Sequence, residues 1–127
     1  MKNISMCMFG LILMLVSCVN NSGPTFKGEG VNWSGELITK YDFWSKESQS
    51  IRITYIGENL EHLSKTKVIV DSPDFLGWGI GTIELDDEGS YYRGDAFEIE
   101  TKTPSSSKII LTIEGNESET ISLGVSS

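Results

Sequence analysis

The chain has 127 residues, a formal net charge of −8 and a pI near 4.5, which leaves room for one domain of ordinary size. That acidity, with no clustered Lys/Arg stripe to offset it, repels phosphate backbones and argues against a nucleic-acid partner; it equally disfavours electrostatic docking on an anionic lipid surface. A single histidine, His62, and two cysteines, Cys7 and Cys18, leave little material for metal or thiol chemistry.

Residues 1–17 read as a signal peptide. Lys2 supplies a positive start, and residues 6–16 (Met-Cys-Met-Phe-Gly-Leu-Ile-Leu-Met-Leu-Val) form an unbroken apolar or small run. As a helix rising about 1.5 Å per residue, that run spans roughly 16 Å, against about 30 Å of bilayer hydrocarbon, so it is short for a transmembrane anchor. Leu15-Val16-Ser17-Cys18 resembles the lipobox of bacterial lipoproteins, with a Leu three residues before the cysteine and a small residue directly before it. The resemblance implies that Cys18 Sγ takes a diacylglyceryl group by a thioether and that cleavage makes Cys18 the first residue. Two acyl chains anchor stably, where one binds only reversibly. An ordinary thiol behind an ordinary signal peptide is the competing reading of Cys18. Cys7 leaves with the leader, so no disulfide is expected in the exported part. Loss of Lys2 with the leader takes the formal charge from −8 to −9.

Residues 18–25 are expected to form a lipidated cysteine and a flexible tether, because Val-Asn-Asn-Ser-Gly-Pro-Thr is small, polar and without periodicity. The domain is expected over residues 26–127. Its opening, Phe26-Lys27-Gly28-Glu29-Gly30-Val31-Asn32-Trp33, resembles the Phe-x-Gly-Glu-x-x-Asn-Trp opening of small lipoproteins of Gram-positive bacilli. That resemblance implies a lipid-anchored, immunoglobulin-like β-domain without an established activity. Read from the residues, Trp33 is the first large side chain of the first strand and should be buried. Gly28 and Gly30 permit an irregular lead-in, and Glu29 and Asn32 are placed to satisfy loop N–H groups.

From Trp33 onward the apolar period is two, the period of strands. Trp33, Leu37 and Tyr41 share one face of residues 31–41, opposite Ser34, Glu36 and Lys40. Ile51, Ile53 and Tyr55 alternate with Ser50, Arg52 and Thr54. The pattern returns in residues 67–71 (Val68, Val70), 82–85 (Ile83, Leu85), 97–101 (Phe97, Ile99), 108–114 (Ile109, Leu111, Ile113) and 120–126 (Ile121, Leu123, Val125). Turns are expected at 45–48, 57–59, 72–74, 86–90, 103–107 and 115–118, the last joining two well-patterned strands as a hairpin. Residues 58–66, with Leu60 and Leu63 three apart, are the one stretch that could hold a helix, and a turn or 3₁₀ piece suits them better. Alternation with one wet face per strand predicts an all-β, antiparallel immunoglobulin-like sandwich of about seven or eight strands, or a small open barrel; periodicity does not choose between them.

Chemistry is sparse. A zinc site lacks ligands once Cys18 is lipidated, and Ser–His–acid catalysis would rest on His62 with no Gly-x-Ser-x-Gly elbow anywhere. Gly77-Trp78-Gly79-Ile80-Gly81 misses the spacing of a dinucleotide loop and is better read as a strand that bends or bulges, or that leaves bare backbone beneath the Trp78 ring. Glu84, Asp86, Asp87 and Glu88 could offer hard oxygens to Ca²⁺, although Asp87-Glu88-Gly89-Ser90 is also the pattern of a tight turn with Gly89 at positive φ. Among Trp33, Trp44, Trp78, Tyr91 and Tyr92, Trp44 alone is expected at the surface, where it could stack on a sugar ring. The expectation is a non-catalytic module without cofactor, outside the cell and membrane-bound through lipid on Cys18. Its partner would be an envelope protein or wall component, with a small ligand, cell-wall sugar or Ca²⁺, as the alternative.

Overall fold

Alternating burial is clearest in β2 (Trp33–Tyr41), where Trp33, Gly35, Leu37 and Thr39 point inward and the residues between them do not. The same alternation runs through β4 (Thr66–Ser72) and β7 (Ile109–Glu114). A computed structural model describes residues 21–60, 65–115 and 117–125; the leader, the lipobox residues Leu15, Val16, Ser17 and Cys18, and His62 lie outside them. The remaining strands are β1 (Asn21–Glu29), β3 (Glu47–Tyr55), β5 (Phe75–Ile83), β6 (Ser90–Ile99) and β8 (Glu119–Val125). All pairings are antiparallel, and the eight strands form one sheet in the order β5-β4-β7-β8-β1-β2-β3-β6.

The sheet wraps into two facing halves, β6-β3-β2-β1 and β5-β4-β7-β8. At the join, β1 meets β8 over only two paired positions, Phe26↔Val125 and Lys27↔Gly124. One half contributes Phe26, Leu37, Ile51 and Ile53 to the core; the other contributes Val68, Val70, Ile109, Leu111, Ile113 and Leu123. The all-β antiparallel expectation holds, and closure is nearly complete. The two free edges, β5 and β6, meet through side chains: the Trp78 and Phe97 rings stack with centroids 5.7 Å apart and planes 17° from parallel. Trp78 Nε1 also donates to Gln49 Oε1 at 2.8 Å.

Several boundaries differ from those expected. Residues 21–25, read as tether, are the first half of β1, paired from Asn21↔Tyr41 onward. Their composition does not favour a strand; the free edge of β2 imposes one. The misfit is absorbed by a register shift between Ser22 and Thr25, where Pro24 offers its carbonyl to Thr39 Oγ1 at 2.6 Å. The turn expected at 45–48 lies earlier, because Asp42 Oδ1 accepts from both Trp44 N and Lys46 N and lets β3 start at Glu47. The strand expected at 82–85 is the tail of β5, which begins at Phe75 and ends at Ile83. The strand expected at 97–101 is the tail of β6, already paired to β3 from Ser90. The bulging foreseen for the glycine-rich stretch is present as register shifts between β4 and β5, while the Trp78 ring lies on Phe97. No α-helix forms in the described part of residues 58–66.

The registers sort the connections between two ends. Asn21 lies beside Tyr41, Glu47 beside Ile99, and Ser72 beside Phe75. The start of β1, the 42–46 hairpin, the β4–β5 turn and residues 100–108 therefore share one end. The β1–β2 turn, the β3–β4 connection, loop 84–89 and the β7–β8 hairpin share the other.

Candidate functional site

At the first end, the 42–46 hairpin raises two large apolar side chains into solvent. Phe43 is 80% exposed and Trp44 77%, with their rings edge to face at 5.3 Å. The tip is held by its own backbone: Ser45 N donates to Asp42 O, Asp42 N to Lys46 O, and Ser45 sits at φ 64°. The Asp42 carboxylate completes this lattice, so its charge is spent on the loop's N–H groups. Trp44 is thus exposed as expected. Phe43 was not foreseen beside it, although Phe43-Trp44 in a polar setting is itself a signal. Tyr92 also reaches the surface, contrary to the expectation for Trp44 alone, because its β6 position faces outward and the Arg52 guanidinium covers its ring at 4.9 Å.

Directly beneath the tip lies a buried polar cluster that sequence reasoning missed. Glu47 is wholly buried, and its carboxylate accepts from Thr103 N at 2.7 Å, Thr103 Oγ1 at 2.6 Å and Gln49 Nε2 at 2.9 Å. Gln49 passes the chain on to Trp78, so one line of hydrogen bonds runs from residues 100–108 through β3 to β5. Next to it, burial raises the Tyr41 phenol above its ordinary 10.0, the Glu47 charge acts in the same direction, and a hydrogen bond with Thr39 opposes them. The Lys102 ammonium lies 4.8 Å from the centre of the Tyr41 ring. Each donor and acceptor in this cluster is used, which describes a clamp more than a reaction centre.

The opposite end carries the acidic loop. Asp86 Oδ1 accepts from Glu88 N and Ser90 N, and Gly89 N donates to Asp86 O with Gly89 at φ +82°, as the turn pattern required. Asp86 is therefore a turn cap. Glu84, Asp86, Asp87 and Glu88 do not converge, and among the described residues no three acidic, His or Cys side chains group as a metal would need.

The two aromatics of the Phe26–Trp33 opening are structural, while Lys27, Glu29 and Val31 between them are exposed. Phe26 and Trp33 are core, and Trp33 meets Tyr55 edge to face at 5.1 Å. Loop N–H groups were expected to find Glu29 and Asn32; instead Glu119, on β8, accepts from Asn32 N and Trp33 N at 3.1–3.2 Å. A Cβ on Gly30 would collide with Glu119 Oε1, so the glycine makes room for that carboxylate. On the outer sheet face, Lys27, Glu36 and Arg52 form an ion-paired row, both cations 3.5 Å from Glu36, along an open trough of about 570 Å³. Its charged walls Lys27, Glu36 and Arg52 are already paired with each other, and Gly28, Gly35 and Gly124 line it beside them.

Comparison with known proteins finds no matching family, no matching curated protein and no matching solved structure.

Proposed function

We propose that the chain is the precursor of a lipid-anchored lipoprotein on the outer face of the cell membrane. Its β-domain would act as a non-catalytic interaction module of the cell envelope. The reading rests on Leu15-Val16-Ser17-Cys18, followed within three residues by a chain already paired to the end of β2 at Asn21. Three residues at about 3.3–3.6 Å each reach at most roughly 11 Å, so lipid on Cys18 would hold the body directly against the bilayer. The resemblance of Phe26–Trp33 to the opening of small bacillar lipoproteins supports the same assignment, as do the signal-peptide features of residues 1–17. A partner would be met by the surfaces facing away from the membrane and by the free edge of β5, where Leu76, Gly77, Gly79 and Thr82 are exposed.

In the native host, Cys18→Ala is expected to abolish incorporation of labelled fatty acid and to leave uncleaved precursor. Unchanged labelling of the variant would end this reading. The exposed Phe43–Trp44 pair also suits stacking on a cell-wall sugar. Under that second reading, soluble wall fragments raise the melting temperature in a concentration-dependent way.

A further inference from the structure

The geometry points to a second membrane contact beside the lipid: the Phe43–Trp44 tip of the 42–46 hairpin enters the headgroup layer of the bilayer. The inference rests on the proposed lipidation of Cys18, and it concerns what the domain itself does at the surface where that lipid would place it.

Position comes first. Asn21 is paired to Tyr41, and the hairpin follows Tyr41 by one residue, so the chain coming from Cys18 enters the domain beside the base of this loop. A lipid joined about 11 Å of chain away leaves the tip facing the bilayer. Chemistry comes second. Tryptophan and phenylalanine favour the interface, where an amphipathic indole keeps its N–H wet while its ring leaves water. Phe43 and Trp44 are 80% and 77% exposed, a large apolar area for a soluble surface to leave bare. The backbone of the loop is braced by four hydrogen bonds of the turn, two of them to Asp42 Oδ1, which hold the tip that carries those rings in one shape. Preorganisation of this kind lowers the ordering cost of insertion.

Charge is the third consideration, and it decides orientation. Glu84, Asp86, Asp87, Glu88 and Glu117 lie at the end remote from Asn21, whereas Lys40, Lys46, Lys102 and Lys108 lie at the near end. Asp42, Glu47, Asp71, Asp74, Asp95, Glu98 and Glu100 at the near end outnumber those lysines, so attraction to anionic lipid is not what drives contact. The acid excess is larger at the remote end, so the more repulsive end turns outward, and at the near end apolar insertion decides the outcome. Contact should therefore persist in zwitterionic lipid and be little affected by salt.

The test uses the full lipidated protein, purified from membranes and reconstituted in phosphatidylcholine vesicles carrying bromine on the acyl chains near the headgroup. Tryptophan emission is expected to fall on bromination, and Trp44→Phe is expected to remove that loss while Trp33 and Trp78 go on emitting. Val31→Ser, at an equally exposed apolar position (84%) at the other end, should leave the quenching unchanged. Unfolding of any variant is monitored by its far-ultraviolet spectrum. If Cys18 carries lipid by mass yet Trp44 is quenched by aqueous iodide and not by bromolipid, the inference is overturned and the lipoprotein reading stands. A bare Cys18 overturns both. An emission change confined to added wall fragments assigns the tip to a sugar and also overturns the membrane contact.

Discussion

Glu47→Ala is expected to destabilise the domain by about 3 kcal/mol, which at this size lowers the melting temperature by roughly 15 °C. The Glu47 carboxylate is buried and is the acceptor for Thr103 N, Thr103 Oγ1 and Gln49 Nε2. Truncation strands Thr103 N and Thr103 Oγ1 and leaves Gln49 Nε2 only its long 3.4 Å bond to Thr103 Oγ1, and each stranded group costs about 1–3 kcal/mol, partly recovered by relaxation. Glu47→Gln keeps a carbonyl for Thr103 N but turns an amide N–H₂ toward other donors, so it should cost about 1–2 kcal/mol. A double-mutant cycle with Thr103→Val separates the shared bond: the two losses should fall short of additivity by about 1 kcal/mol. Additive effects, or a Glu47→Ala loss within about 0.5 kcal/mol of zero, would mean that the cluster does not clamp residues 100–108 to β3. The clamp matters because it stiffens the end of the sheet from which the 42–46 hairpin rises.

Trp78→Ala comes next in size. It removes the stack on Phe97, the one aromatic contact between the two free sheet edges among the described residues, and leaves Gln49 Oε1 without its donor. The loss should be about 3 kcal/mol, combining a half-buried aromatic with a stranded acceptor, and Trp78→Phe should restore about 2 kcal/mol of it. Location distinguishes this effect from general loosening. No backbone pairing joins β5 to β6, so opening the seam should speed amide exchange in β5 ahead of β2 and β3, which are paired on both sides. Uniform acceleration across the sheet would contradict a seam held by side chains.

How far the chain could be read beforehand follows from where the causes of structure lie. β2, β4, β7 and β8 were legible because their own side chains alternate, and a strand with one dry face needs nothing else to declare itself. β3 was half legible. Ile51 and Ile53 point inward, and extending their period backward reaches Gln49 and Glu47, two polar residues that nothing apolar flags as inward-facing. Their burial is made tolerable by Thr103, 56 residues after Glu47, and such a partner has no local signature. The same holds for Glu119, whose carboxylate caps a turn 86–87 residues earlier. β5 was half legible: its glycine-rich stretch reads as a strand that bends or bulges, but the glycines interrupt the alternation that Trp78 and Ile80 carry, and only residues 82–85 show the apolar period of a strand. Residues 21–25 are a strand by virtue of β2's edge, not of their own composition. Among candidate sites, Trp44 and the turn at Gly89 were readable from local chemistry; the lipobox residues lie outside the described chain and rest on sequence alone.

The most direct test of the account is the mass of the N-terminal peptide from protein extracted from native membranes. A chain beginning at Cys18 and heavier by a diacylglyceryl group is the predicted result, with or without a further acyl chain on the new amino terminus. A peptide beginning at Met1 with an unmodified Cys18 thiol would contradict it, because no lipid on Cys18 would then hold the domain that is paired from Asn21 against a membrane.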